Sequence, residues 1–504
     1  MTSPPESFTL PAIPYYQLLR DAARRFPDKV AVIFQQQRWT YARLEGLSNR
    51  FARALFDMGL GKGDRVILAT YNRPEFIVSF NAIAKVGGVV SPMNPSYKAP
   101  EVEHQVNDTE ATIAIADATA WRTIQRIRER LPTLKYLICV DDVVGSEYTY
   151  ADLLQPYPET PLPEVALDIA EDLLALIYSS GTTSRPKGVM LTHRNLLCSH
   201  LQYTVAGRVT SDDVSLIFLP FCHVYGLMLC GGAIAAGATQ VVMERYNLEQ
   251  VLQLTQAHRV TLLYANPPVL VEMADYPHLE SVDFGSVKYI NSGGAPLPDE
   301  IFERMKQRTN VFIARGYGMT EASLSGNFVP GEERKIVDAE TGERELGVGE
   351  PGEIIIRGPH IMKGYWKDAA QTARVIRNGW LYTGDIGVID ARDRIRIVDR
   401  KKEMIKYKGF AVSPTEIESV LFEHPAVADC AVTSQPDLSA SELPIAYVVL
   451  KGGAAVAAQE LIDFVAARVA GYKRLHQVSI VSTIPRNDHG KIVKSAFSPA
   501  GGVA

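Results

Sequence analysis

Cysteine is scarce in this chain of 504 residues. The five present, Cys139, Cys198, Cys222, Cys230 and Cys430, are odd in number and show no Cys-x-x-Cys spacing. A disulfide framework and a structural zinc site are excluded on that count, and a reduced compartment, the cytoplasm, is the expected setting. Positive charge is not in excess either: 52 Lys and Arg against 57 Asp and Glu leave a net charge of -5 with the signs interspersed. That removes the basic footprint of a nucleic-acid partner. Long apolar runs are missing as well. The most apolar stretch, from Gly226 to Ala238, is short and glycine-rich, well below the roughly 20 residues of a membrane-spanning helix. It reads as a buried helix, and no integral membrane contact is expected. The opening residues MTSPPESFTLP carry neither a basic nor an apolar signal region, so no secretory signal is read there.

What is present is an ordinary globular composition, 46% hydrophobic and 22% charged, which is too apolar for disorder and long enough for more than one domain. Helical periodicity alternates with short Val/Ile/Ala-rich runs. Leu44 to Met58 and Glu75 to Lys85 read as helices; Arg65 to Ala69, Val89 to Pro92, Ala111 to Ala116 and Lys135 to Val140 read as strands. The pattern continues through Leu216 to Leu219, Gln240 to Met243 and Thr261 to Tyr264. Such alternation predicts α/β layers with largely parallel strands. Near Asp399 the texture changes to a charged run, followed by Ser413, Pro414 and Glu416, a helix start, and by Ile417, Val420 and Leu421 at helical spacing. A separate small α+β domain is expected from there, with a strand from Ile445 to Leu450 and a helix near Glu460 to Val469.

The most telling segment is YSSGTTSRPKGV, Tyr178 to Val189, directly after the apolar run Leu173 to Ile177. Gly181 permits close backbone approach to an anion, Ser179, Ser180, Thr182 and Thr183 supply hydroxyl donors, and Lys187 supplies charge. The Walker A pattern needs Gly immediately before its Lys, and Pro186 stands there, so this is a different phosphate-binding loop. Six further motifs follow in order: LPFCHVYGL from Leu219, SGGAPLP from Ser292, RGYGMTE from Arg315, GWLYTGDIG from Gly379, DRKKEMIKYKGF from Asp399 and PRNDHGKI from Pro485.

Together these motifs closely resemble those of the acyl-adenylate-forming superfamily, in particular the branch of 4-coumarate–CoA ligases, luciferases and fatty acyl-CoA synthetases. The resemblance implies a large multi-layer N-terminal domain, residues 1–398, with two α/β subdomains and a β-rich part, and a small mobile α+β domain, residues 399–504, hinged at Asp399. It also implies an ATP-dependent carboxylic acid–CoA ligase. The acid, fatty or aryl, is joined to AMP with loss of pyrophosphate, and the acyl group then passes to coenzyme A.

By the same resemblance, Lys491 bridges carboxylate and α-phosphate during the first step and Thr320 contacts the α-phosphate. Glu321 holds Mg²⁺. Ser179, Ser180, Gly181, Thr182, Thr183 and Lys187 cradle phosphates; Asp385 and Arg400 grip the ribose; Gly294, Gly316 and Tyr317 line the adenine slot, with Arg315 beside them. His223 gates the acyl site from the thiol channel. Tyr225, Leu229, Gly293 and Phe328 line the acyl pocket, while Arg245, Lys402, Lys406, Lys408 and Gly409 serve coenzyme A. ATP, Mg²⁺ and coenzyme A are the implied cofactor and co-substrates, a small carboxylic acid the partner, and a monomer and a homodimer are both compatible.

The chain departs from the family pattern in three places. Ser184 replaces a loop glycine, and Arg315 replaces a neutral polar residue. The stretch from Phe328 to Asp338 lacks more than a dozen residues, including a Gly-Ser-x-Gly turn and its strand. Two other readings therefore stay open from sequence: transfer to a carrier-protein thiol or other acceptor, and a weakened homologue that binds acyl-adenylate.

Overall fold

A computed structural model describes residues 9–179, 186–323, 332–408, 410–437, 440–486, 492–493 and 496–497. Two large sheets form its centre. In the eight-stranded sheet, Val89–Pro92, Arg65–Ala69, Ile113–Ala116 and Tyr136–Cys139 run parallel, and Leu173–Ser179 joins them beside Val89–Pro92. In the seven-stranded sheet, Ile313–Arg315, Tyr289–Ser292, Leu262–Ala265, Val214–Ile217, Thr239–Val242 and Val30–Phe34 run parallel, closed by the antiparallel strand Gln37–Thr40. Central strands such as Val66 to Ala69 are fully buried, as parallel strands covered on both faces require.

Helices fill the space between the sheets. The expected apolar helix is Val224–Ala236, buried from Gly226 to Ile234 and packed on His193–Ala206. Its glycines set that approach: a Cβ at Gly231 would lie 1.9 Å from His200 Nδ1, and one at Gly232 2.1 Å from Tyr203 Cδ1. Any larger residue would push the helices apart. Among the described residues no helix is long and apolar enough to cross a membrane.

A third, antiparallel sheet contains Glu333–Val337, Gly352–Arg357, Trp380–Ile389 and Ile395–Arg400. Among the described residues, the strand that ends at Arg400 is the last to belong to the large core, which includes none beyond Ile397. The fourth sheet, built from Ile405–Tyr407, Phe410–Val412, Val427–Asp437, Ser441–Leu450 and Gln477–Ile480, has its own core of Ile405, Val412, Ile417, Leu421, Val448 and Leu461. Ser413 accepts the Glu416 N–H at 3.2 Å with Pro414 in the first turn, so the small unit's first helix starts where the sequence places it.

Burial holds three histidines neutral: His193 is lowered to about 4, His200 to about 3 and His360 to about 4, from 6.5. Between those values and 6.5 the unfolded chain binds protons that the folded one does not, so stability is lost as pH falls. Buried Glu332 is raised from 4.5 to about 7. A carboxyl that holds its proton better when folded contributes the opposite sign, with stability lost as pH rises toward 7. Three histidines against one glutamate leave a net uptake of about two protons on unfolding near pH 5.5. Thermal melts between pH 7 and 5 should therefore show a steadily falling midpoint, and a flat profile would contradict this account.

Candidate active site

The two ends of the segment Tyr178 to Val189 belong to one antiparallel strand pair. Leu173–Ser179 and Lys187–Thr192 pair antiparallel with Ser179 opposite Lys187, and residues 180–185, with Ser180, Gly181, Thr182 and Thr183, lie outside the described residues. The pair is tied to helix Ala99–Thr109 by the Tyr178 hydroxyl, which donates to the Asp108 carboxylate, and by the Trp366 indole, which donates to the Asp108 carbonyl at 2.9 Å. Strand Gly364–Tyr365 pairs with Val189 and Met190. This brings Asp368 within 3.2 Å of Lys187 Nζ and the Tyr365 ring 5.5 Å beneath it.

Glu321 converges on the same place from the short turn Thr320–Ala322, pinned by the Met362 N–H, which donates to its carbonyl at 2.8 Å. Its Oε1 accepts the Tyr365 hydroxyl at 2.9 Å and lies 3.5 Å from Ser179 Oγ. Burial, then the Glu321 charge, raise the Tyr365 phenol, so it remains a donor. A carboxylate beside hydroxyls and the base of a phosphate loop is an all-oxygen donor set of the kind Mg²⁺ takes. Among the described residues no group of three or more His, Cys, Asp or Glu is placed to hold a metal. The single carboxylate with its neighbouring hydroxyls fits an ion whose remaining ligands are substrate phosphates.

A second cluster forms where Trp380–Ile389 pairs with Ile395–Arg400, Asp385 standing opposite Arg400. Asp385 is buried; its Oδ2 accepts the Tyr317 hydroxyl at 2.7 Å and its Oδ1 lies 3.4 Å from Arg400 Nε. Gly316 donates to the Ser292 carbonyl at 2.7 Å, and a Cβ there would lie 2.9 Å from Asn291 Oδ1. Gly294 sits at φ +87°, in the left-handed region that favours glycine. Arg315 turns toward helix Asp299–Thr309, paired with the Asp299 carboxylate and 4.6 Å above the Phe302 ring.

Two of the candidate acyl-pocket residues, Tyr225 and Gly293, meet near the start of the buried helix. The Tyr225 hydroxyl donates to Asn291 Oδ1 at 2.9 Å, and a Cβ on Gly293 would lie 3.0 Å from the Tyr225 ring. Leu229 is fully buried in the same helix, and half-buried His223 precedes its first residue. With Tyr365, Asn291 is one of the residues that sequence reasoning missed. Its only signal was a polar amide in the strand Tyr289–Ser292, immediately before SGGAPLP. Phe328 lies outside the described residues.

The candidate coenzyme A residues are dispersed. Exposed Arg245 stacks 4.1 Å over Tyr71. Lys402, Lys406 and Lys408 are exposed around the strand Ile405–Tyr407, the Lys406 N–H donating to Glu442 at 2.6 Å and the Lys408 N–H to the Ala440 carbonyl at 2.9 Å. Gly409 and Lys491 lie outside the described residues. Asp399 is buried, and its Oδ2 accepts from Ser413 Oγ at 2.6 Å and from the Thr415 N–H at 3.1 Å.

Comparison with known proteins agrees with this geometry. The family model "AMP-binding enzyme" matches residues 19–366 and "AMP-binding enzyme C-terminal domain" residues 416–491. The chain is 39% identical to 4-coumarate–CoA ligase 5 of Oryza sativa subsp. japonica, over 90% of this chain and 88% of the relative. It superimposes on ATP-bound MatB from Rhodopseudomonas palustris with a TM-score of 0.88 at 28% identity, covering 96% of this chain and 98% of the other. The anthranilate CoA ligase AuaEII in complex with anthranoyl-AMP gives 0.89 at 26% identity, covering 98% of each. Motif order, site geometry and near-complete coverage lead to one assignment: the chain belongs to the AMP-binding enzyme family, within the acyl-adenylate-forming superfamily.

Proposed function

We propose that this chain is an AMP-forming carboxylic acid–CoA ligase that acts on a small aryl acid of the hydroxycinnamate kind. The observation that carries the reading is the convergence of Glu321, Tyr365 and Ser179 at the base of the loop closed by Lys187, with Tyr317 and Arg400 gathered on Asp385. An aryl rather than a long fatty acid is favoured by the polar Tyr225–Asn291 pair in the acyl wall, because a half-buried hydroxyl and amide suit a ring substituent and penalise an alkyl chain. The naming of the relatives as 4-coumarate–CoA ligases supports the same choice.

In the first half-reaction a carboxylate oxygen attacks the α-phosphorus, the bond to the bridging oxygen breaks, and pyrophosphate leaves with the electron pair. The chain's work is positioning and charge neutralisation. Ser179, Lys187 and the residues between them hold phosphate oxygens, Thr320 contacts the α-phosphate, Asp385 accepts from the ribose hydroxyls beside Arg400, and Gly294, Gly316 and Tyr317 bound the adenine. Arg315, its charge met by Asp299, stands beside that slot, and Lys491 bridges carboxylate and phosphate. Mg²⁺ held by Glu321 supplies further neutralisation of the phosphate charge. In the second half-reaction the coenzyme A sulfur attacks the acyl carbonyl and AMP departs. We assign His223 to the boundary between acyl site and thiol channel, Leu229, Gly293 and Phe328 to the acyl wall, and Arg245, Lys402, Lys406, Lys408 and Gly409 to coenzyme A.

Residues 1–398 form the large domain and 399–504 the small one, turning about Asp399 between the two steps in the cytoplasm. A pyrophosphate-release screen across benzoates, cinnamates and fatty acids of increasing length tests the reading. Hydroxycinnamates should give the largest kcat/KM and form a thioester with free coenzyme A, whereas preference for a long fatty acid would overturn the substrate class.

A further inference from the structure

Lys401 follows Arg400 immediately, yet it reaches back into the large part of the molecule. Its Nζ lies 2.7 Å from Glu353 Oε2, and its N–H donates to the Gly384 carbonyl at 2.8 Å. Glu353 is itself buried, and its Oε1 accepts the Gly384 N–H at 3.1 Å. Gly384 is at φ +71°, a conformation that turns both its amide N–H and its carbonyl to this cluster. Glu353, Gly384 and Lys401 thus close a ring of three contacts across the junction. Two residues earlier, the Asp399 carboxylate faces the other way and caps the small unit's first helix through Ser413 and Thr415. One junction residue is fastened to the small unit and the other to the large, with Arg400, seated on Asp385, between them.

A buried carboxylate that loses its cation keeps its desolvation cost without the compensating charge. Any rotation that carries Lys401 away leaves Glu353 with the Gly384 N–H in place of two partners from this ring. We propose that Lys401 is a positioning residue, a latch that holds the arrangement in which Arg400 meets Asp385, and so favours adenylate formation over the later thiol step. This rests on the proposed rotation about Asp399. Lys401 touches no reacting atom.

The test uses the full-length chain and the variants Lys401→Met, which keeps the apolar stem, and Lys401→Arg, which keeps the charge. Adenylation is read by pyrophosphate release, and the second step by thioester formation from supplied acyl-adenylate. The expected result for Lys401→Met is a fall in adenylation of about fivefold, in line with a half-exposed ion pair, with the second step unchanged or faster and Lys401→Arg close to the parent. An equal fall in both steps, no change in either, or an arginine variant as impaired as the methionine one would overturn the latch. A second readout does not need catalysis. The five native cysteines are buried, so Val348→Cys and Ile480→Cys, at exposed positions of the large and small units, accept a fluorescent donor–acceptor pair. Lys401→Met should shift or broaden the distance distribution, and an unchanged distribution would count against the latch. If the parent chain releases no pyrophosphate with any acid, the proposed function fails by itself, and the distance measurement still decides the latch.

Discussion

Replacement of Lys491 by alanine is expected to slow adenylate formation by about 100-fold or more, the usual cost of removing one group aimed at developing charge. The carboxylate and the α-phosphate are both anionic, so their approach is opposed until a cation lies between them. Once the adenylate has formed, that repulsion is gone and the lysine has no partner in the thiol step. Thioester formation from supplied acyl-adenylate should therefore proceed at nearly the parental rate. Rapid-quench measurement of each half-reaction separates the two, and a parallel loss in both would remove Lys491 from the bridging role.

Substitution of Glu321 by glutamine should cost a similar factor, with a different signature. The amide keeps an acceptor for the Tyr365 hydroxyl, which now meets Glu321 Oε1 at 2.9 Å, so the local packing is preserved while the negative charge is lost. A hard cation that shares its shell between one carboxylate and the substrate's phosphates should then bind more weakly. The expected outcome is adenylation reduced about 100-fold at low Mg²⁺, partly recovered as Mg²⁺ is raised, with a melting midpoint close to the parent's. A loss that no Mg²⁺ concentration relieves would assign Glu321 a purely structural part.

Much of the fold was legible because parallel strands carry a strong local signal. Arg65–Ala69 and Val89–Pro92 fall where the apolar runs put them, and the helix predicted from Leu44 begins at Tyr41 because the Thr40 hydroxyl caps it three residues earlier. The strand pair was harder. Sequence showed a loop after a strand, but Lys187 also starts the antiparallel strand Lys187–Thr192, and this pairing gives Lys187 its place opposite Ser179. The site residues that escaped notice depend on partners far along the chain. Asn291 meets Tyr225 across 66 residues, Tyr365 meets Glu321 across 44, and Glu353 meets Lys401 across 48. No periodicity records such meetings. The effect of Arg315 was likewise not readable from composition, since its pairing with Asp299 is set by how helix Asp299–Thr309 packs. Of the stretch from Phe328 to Asp338 where a deficit is expected, residues 328–331 lie outside the described part, and the remainder holds the strand Glu333–Val337 against Gly352–Arg357.

The central claim is that the acid is activated by attack of its own oxygen on the α-phosphorus of ATP. Turnover of a hydroxycinnamate labelled with ¹⁸O in both carboxyl oxygens, in the presence of ATP, Mg²⁺ and coenzyme A, tests it directly by mass spectrometry of the products. The account predicts one ¹⁸O atom in AMP, one in the thioester carbonyl and none in pyrophosphate. Unlabelled AMP, or label appearing in inorganic phosphate beside ADP, would contradict it.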